Sequence, residues 1–261
     1  MLLSSVIIVL REVLEAALII SVLLALANTL SIGPRWTGWG VGFGLLGAVV
    51  YAGNTAAVSD WFDGVGQEVV NALIQFAIYC CLMLFAVMFS MRHGKTPPND
   101  RLLARLMIVS VSLAIMREGS EILIYLSSFT SDWALLEPIL LGGMVGAGIG
   151  ISVGALAYYL LSNINRAVSP YISVGVLALV AAGMAGQATL LLIQADWLPA
   201  QAALWDSSAW VAENSVTGQL LYALIGYEAT PTPIQALAYF GGLLLPLLLI
   251  VLSRQAAKDD A

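Results

Sequence analysis

Charge is what this chain has least of. Asp, Glu, Lys and Arg make up only 10% of its 261 residues, against 60% hydrophobic ones. A soluble domain carries about 25% charge, so a water-facing globule is excluded for most of the length. Histidine is nearly missing. The single copy, His93, stands in a basic stretch between apolar runs. Haem pairs and metal centres built on several imidazoles are excluded with it, and no Ser–His constellation is found. The two cysteines, Cys80 and Cys81, are adjacent. Neighbours on a helix point about 100° apart, so they do not chelate a metal together, and both read as small buried hydrophobes. No Lys or Arg precedes the first apolar run, and Arg11, Glu12 and Glu15 interrupt it. A cleavable signal has the opposite design, a basic start and an unbroken apolar centre, so this run is expected to persist as a helix.

What the chain does have is apolar stretches, at about 2–30, 37–58, 68–91, 104–128, 138–161, 170–195 and 233–252. Each is near the roughly 20 residues that a spanning helix needs. The expected fold is an all-α polytopic membrane protein with seven transmembrane helices in one membrane domain, 1–261. Segment 196–231 is left as an extracytoplasmic loop.

The scarce bases set the orientation. Arg35, Arg92, Lys95, Arg101, Arg105, Arg166, Arg254 and Lys258 all fall on one side of a seven-span arrangement. Asp60, Asp63, Glu68, Asp132, Glu137, Asp196, Asp206, Glu213 and Glu228 fall on the other. The N-terminus is therefore expected outside, and the C-terminus in the cytoplasm, of a cytoplasmic membrane. The acidic outer side would concentrate cations.

The remaining bases belong to two copies of one motif. Arg11-Glu12-Val13-Leu14-Glu15 and Arg117-Glu118-Gly119-Ser120-Glu121 each lie inside an apolar stretch. A charge at the bilayer centre costs about 2.5–3.5 kcal/mol on insertion scales, so six in two helices read as a site within the membrane. At 100° per residue the Arg and both Glu of each copy share a narrow face. Arg11 can reach Glu15 at i,i+4, and Arg117 can reach Glu121. Tyr125 and Ser128 continue the second face as a polar track. Four Glu and two Arg leave a formal charge of −2, and carboxylate oxygens suit hard metal ions. The site residues are thus Glu12, Glu15, Glu118 and Glu121, supported by Arg11 and Arg117.

A shift of 106 residues carries Arg11 onto Arg117, Ser4 onto Ser110, and Gly40, Gly42 and Gly44 onto Gly146, Gly148 and Gly150. Three spans separate the copies, so the second half (helices 4–6, about 104–195) would be inverted relative to the first (helices 1–3, about 2–91). Such 3+3 inverted repeats mark secondary transporters; the seventh helix, about 233–252, lies outside them. Gly142, Gly146, Gly150 and Gly154, with the pairs Gly38/Gly42 and Gly40/Gly44, form small-residue stripes. These let helices approach closely within one chain or against a second copy, which leaves a homo-oligomer open.

These residues resemble the oxidase-dependent iron permeases, the family of the fungal high-affinity iron permeases and bacterial EfeU. That family has seven spans, with R-E-x-x-E in helices 1 and 4. The resemblance continues through Trp205-Asp206-Ser207-Ser208, Gly218-Gln219-Leu220-Leu221, Gly226-Tyr227 and Pro231. It implies that the four motif glutamates are iron ligands or relays, and that Asp206 and Glu213 receive iron at the inlet. It implies Fe(III) supplied by an extracytoplasmic oxidase or iron-delivery protein, for which the tryptophan-rich segment 196–231 is the docking surface. Trp197, Trp205 and Trp210 would serve equally as interfacial anchors. No permanently bound cofactor and no nucleic-acid partner are expected; the ligands are the transported iron ion and membrane lipid. The competing readings are a carrier of another hard or heavy cation, an anion carrier using the two arginines, and an intramembrane enzyme using the paired carboxylates.

The charge split predicts accessibility. With Asp206→Cys and Lys95→Cys each as a single added thiol, an impermeant maleimide applied to intact cells should label the first and spare the second. The reverse pattern overturns the orientation.

Overall fold

The computed structural model describes residues 2–93, 99–130, 133–165 and 168–259. Lys95, Asp132 and Arg166 of the charge argument lie outside the described residues, as do the side chains of His93, Arg254 and Lys258. Among the described residues the chain is helical throughout, without a strand. The elements are α1 (Leu2–Thr29), α2 (Arg35–Gly53), α3 (Thr55–Ser59), α4 (Gly66–Ser90), α5 (Asp100–Ser127), α6 (Trp133–Asn163), α7 (Ser169–Gln194), α8 (Val216–Ile225) and α9 (Pro233–Asp259).

Four helices are long and apolar enough to cross a membrane by length and composition alone: α4, α6, α7 and α9. The motif charges interrupt the apolar windows of α1 and α5, although each runs 28 residues. α2 is a glycine-rich helix of 19 residues. The apolar stretch 37–58 breaks at Asn54, and α3 and a tight turn with Phe62 and Asp63 at positive φ lead into α4. The outer faces of α2, α6 and α9 expose Phe43, Leu46, Val49, Met144, Ile151, Leu160, Leu237, Leu244 and Leu248. Glu12, Glu15, Arg117 and Glu118 are buried. Apolar outside and charged inside is the arrangement that lipid imposes. The chain is a multi-pass membrane protein.

Helix pairing crosses between the halves. α1 lies along α6, α2 along α5, and α4 along α7. Glycine makes the first two contacts close. A Cβ on Gly142 would sit 2.6 Å from Leu2 O, and one on Gly146 would run into Val6 O and come within 3.0 Å of Leu10 N. On the other pair, a Cβ on Gly40 would meet Val111 at 3.0 Å and Ile108 O at 3.5 Å, and one on Gly44 would meet Ile115 at 2.6 Å and Ser112 O at 3.0 Å. These contacts correct the glycine alignment. Leu2 and Ser5 correspond to Ile108 and Val111 under the motif shift of 106, so packing pairs Gly40 with Gly142 and Gly44 with Gly146, a shift of 102. The glycine match read from sequence is one helical turn out of packing register. Gly38, Gly42 and Gly148 meet nothing within 4 Å, so the Gly38/Gly42 stripe does not clamp a helix. Cys80 and Cys81 are free thiols but only half-buried, not enclosed as expected.

The apolar core is concentrated toward one end of the bundle. Ile19, Val22, Leu23 and Leu26 of α1 meet Ile78, Leu82 and Phe85 of α4, Leu103, Met107 and Val111 of α5, and Leu177, Val180 and Met184 of α7. This plug fills the half running toward Leu30 and Phe89. The motif charges lie just beyond it.

Gly146→Ala should force α6 away from the α1 backbone, at about 1–3 kcal/mol for overpacking. Gly148→Ala places its methyl in open space and should leave the purified protein's melting temperature unchanged. Equal melting of the two variants removes the close-packing account.

Candidate metal-ion site

The two motif copies meet because α1 crosses α5 at their charged turns. The arginines behave differently. Arg117 is 6% exposed, and its Nη1 lies 2.5 Å from Glu118 Oε2, 3.5 Å from Glu15 Oε2 and 3.9 Å from Glu12 Oε2. Its Nη2 lies 3.0 Å from Glu121 Oε1, the expected i,i+4 pair. One guanidinium therefore stands within 4 Å of all four motif carboxylates. Its planar fork of donors suits such shared pairing better than a lysine point charge.

Arg11 does not pair with Glu15 as the i,i+4 spacing predicts. Its Nη2 and Nε donate to Glu12 Oε1 at 2.5 and 2.9 Å, and the guanidinium lies over the Tyr222 ring, 5.4 Å from the centroid. Its side chain is 29% exposed. The reason is competition: Glu15 is drawn to Arg117, and Tyr222 offers Arg11 an aromatic face.

Several carboxylate oxygens remain without a hydrogen bond although buried: Glu12 Oε2, Glu15 Oε1 and Glu118 Oε1. An unsatisfied buried polar atom costs about 1–3 kcal/mol. Glu12, Glu118 and Glu121 also bring one oxygen each to within 4.8 Å of one another. Metal–oxygen bonds of about 2.0–2.6 Å fit a cation between them. Ser120 is buried on the same turn and returns its hydroxyl to Arg117 O at 2.7 Å, so it closes the backbone without entering the cluster.

Of the motif residues, Arg11, Arg117 and Glu121 line a cavity of about 340 Å³, together with Gln75, Gln187, Gln194, Glu213, Gln219, Tyr222 and Glu228 among others; Glu12, Glu15 and Glu118 lie behind them. Segment 196–231 supplies its mouth, and in this the sequence reading fell short. That segment is not only loop: α8 packs against α1 and α7. Ser215 caps its start by accepting from Gly218 N at 3.0 Å, and Gly226 ends it at φ 67°. A Cβ on Gly183 would come 3.1 Å from Gly226 Cα, so α7 and the end of α8 approach backbone to backbone. The 10-residue length of α8 hid it from a search for spanning stretches.

Glu213 lines the cavity, and its Oε1 accepts from Ala229 N at 2.8 Å and Thr230 N at 3.3 Å, tying both ends of the α8 segment together. Burial, with Glu213 adding its charge, pushes the Glu228 carboxyl up to about 7. Asp206 is fully exposed, does not line the cavity, and accepts from Ser208 N at 2.9 Å, which holds its carboxyl below the usual range. Ser207 bonds with Tyr227 Oη at 2.8 Å and with Ala229. The family-like run is thus an interlocked loop. Trp197 packs edge-on against Phe62, and Trp210 is 92% exposed. Tyr125 rests on Phe129 and Ser128 bonds back to Ile124 O; neither lines the cavity.

Ionisable residues buried in a membrane-embedded helical bundle beside a cavity mark ion and substrate pathways, the architecture that transporters share. The chain belongs to the Iron permease FTR1 family, whose profile matches residues 2–258. It is 28% identical over 270 aligned positions to the ferrous iron permease EfeU of Escherichia coli O6:H1 (strain CFT073), covering 95% of each chain. It is 28% identical over 254 positions to that of Shigella sonnei (strain Ss046), covering 89% of each. It is 29% identical over 137 positions to that of Shigella flexneri, covering 51% of this chain and 57% of the relative. No solved structure matches.

The unequal arginines generate a test. Arg117→Met leaves buried carboxylates uncompensated and should destabilise the purified protein by about 3–5 kcal/mol. Arg11→Met, at the cavity rim, should cost clearly less. Matching thermal melts for the two variants would contradict the asymmetry.

Proposed function

We propose that this chain moves iron across the cytoplasmic membrane, and that Glu12, Glu15, Glu118 and Glu121 carry the ion between the two faces. The carrying observation is the set of buried carboxylate oxygens on both motif copies that lack a hydrogen bond, together with the three oxygens gathered within 4.8 Å. The membrane is crossed seven times, by α1, α2, α4, α5, α6, α7 and α9, with α8 lodged in the outer segment. α1, α2 and α4 form one repeat, and α5, α6 and α7 form its inverted partner. The reciprocal pairings support this: exchanging the halves turns α1 on α6 into α5 on α2, and returns α4 on α7 to itself. Iron reaches the cluster through the cavity bounded by Glu213 and Glu228. The apolar plug of Leu26, Leu82, Phe85 and Met107 then has to part for release to the other side. Asp206 acts at a distance from this path, as part of a docking surface for an iron-delivering partner.

Oxidation state depends on delivery. The resemblance implies Fe(III) from a partner oxidase, whereas the curated relatives are named for ferrous iron. The motifs' formal charge of −2 fits a divalent ion as well as Fe(III) and does not choose between them.

Replacing Glu15 or Glu121 with Gln keeps shape and removes charge. At equal protein in proteoliposomes, each should cut iron uptake at least about tenfold, the scale on which metal sites respond to loss of an oriented ligand. Assays run with Fe(II) held by ascorbate and with Fe(III) as citrate separate the two deliveries. Normal uptake by both variants would make the motifs structural bridges and remove the proposed mechanism.

A further inference from the structure

Two glutamines lie deep in the bundle without a part in the mechanism above. Gln75 on α4 is fully enclosed, and Gln187 on α7 is 6% exposed. Both line the cavity beside Arg117 and Glu121. Gln75 Nε2 donates to Gln187 Oε1 at 2.5 Å, and Gln187 Nε2 donates onward to Glu15 Oε2 at 3.4 Å. Gln75 Oε1 is buried and has no hydrogen-bond partner.

A bridge serving only to tie α4 to α7 would close on itself. Two primary amides can exchange two hydrogen bonds and satisfy one donor and one acceptor each. This pair makes one bond and spends the other on a motif carboxylate. The consequence is an orphaned amide oxygen at the end of a chain that leads to Glu15, whose Oε1 is also orphaned. Unpaired acceptors without donors are what a cation satisfies. The amides also solve a problem of charge. Four carboxylates and two guanidiniums already balance a dication, and further acids would hold it too tightly for release. Neutral oxygens raise the coordination number and leave the charge alone, as Asn and Gln carbonyls do in hard-cation sites.

We propose that Gln75 donates its side-chain carbonyl oxygen to the transported cation, making the site a mixed carboxylate–amide shell, with Gln187 as the positioning residue: its own oxygen holds Gln75 and its amide N–H holds Glu15. The ligands come from α1, α4 and α5, and α7 orients them. This inference rests on the permease reading. It assigns to the amides a role in selectivity, because an all-oxygen shell disfavours soft ions.

The test uses the full chain in proteoliposomes, ferrous ion kept reduced with ascorbate, and cadmium ion as a soft competitor. Gln75→Leu and Gln187→Leu should raise the half-saturating iron concentration about tenfold. Gln75→Met, which places a thioether where the free oxygen was, should strengthen cadmium inhibition relative to iron uptake, whereas Gln187→Met should leave that ratio as it is. Gln75→Glu retains an oxygen donor and adds a charge, and should hold iron at least as tightly while lowering the maximal rate. Should the Leu variants fail to reach the membrane, the Met and Glu variants carry the test. A bridging role would change protein abundance and maximal rate but not the cadmium-to-iron ratio. An unchanged ratio in Gln75→Met, or unchanged half-saturation in Gln75→Leu, overturns the proposal. Wild-type uptake measured alongside separates that failure from failure of the permease reading, in which the unaltered chain would carry no ferrous ion.

Discussion

One buried guanidinium organises this molecule. Arg117 holds Glu118, Glu121, Glu15 and Glu12 within 4 Å, and these belong to two helices remote in sequence. Without it, three of these carboxylates, Glu15, Glu118 and Glu121, would have to lose their charge or draw in water, since isolated buried ions cost several kcal/mol each after relaxation. With it, the two motif turns must face each other, and the crossing of α1 and α5 follows. The helices behind them are then constrained by a second requirement, that α6 and α2 come close enough to close the bundle around the crossing. Gly142, Gly146, Gly40 and Gly44 meet it by omitting side chains where backbones approach. In lipid, where no hydrophobic force drives helices together, such close packing carries association.

These constraints divide the interior in two. On one side of the charged turns the facing positions of α1, α4, α5 and α7 are Leu, Ile, Val, Phe and Met, and they pack solid. On the other they are Gln75, Gln187, Gln194 and the two arginines, and a cavity opens under α8. On the α8 side the cavity is lined by polar side chains together with Leu190 and Leu191. Beyond the charged turns the packing is mainly hydrocarbon, with Ser110 and Ser173 buried in it, and a second cavity of about 780 Å³ opens at the far end beside Asn28, Ser31, Arg92 and Ser169. In the permease reading, the plug between the two cavities is the element that a transport cycle must rearrange.

Much of this was legible in the chain. Long helices followed from apolar runs, and the buried site from six charges set in two of them. The i,i+4 contact of Arg117 with Glu121 followed from helical geometry. The equivalent contact of Arg11 did not form, because spacing within one helix says nothing of a stronger claimant on another. Arg117 reaches Glu15 from α5, and Tyr222 reaches Arg11 from α8. The glycine register slipped by a turn for a related reason: matched letters record ancestry or chance, whereas contact depends on how far each helix slides along its neighbour. Gln75 and Gln187 carried no local signal, being single polar residues 112 positions apart. α8 was masked by its shortness and by the loop residues around it, although Ser215 and Gly226 are ordinary start and stop signals.

The difference between the two arginines bears on how a symmetric sequence becomes a directional device. Both copies supply the same three charges, yet one arginine is enclosed by carboxylates and the other lies at the cavity rim against an aromatic ring. What breaks the equivalence is α8, which follows the second copy and has no counterpart among the described residues after the first. It sets Tyr222 over Arg11 and Glu228 at the mouth. Glu12 is the shared element: one of its oxygens is taken by Arg11 at 2.5 Å, and the other faces Arg117 at 3.9 Å without a hydrogen bond. A cation taking that free oxygen would weaken the hold of Arg117 and leave the grip of Arg11 intact. In the permease reading, the ion therefore competes with the buried arginine, the group that pins α5 to α1. Among the described residues Glu12 is the one motif carboxylate that both arginines approach, and Glu15, at 3.5 Å, keeps Arg117 tied to α1 when Glu12 is engaged elsewhere.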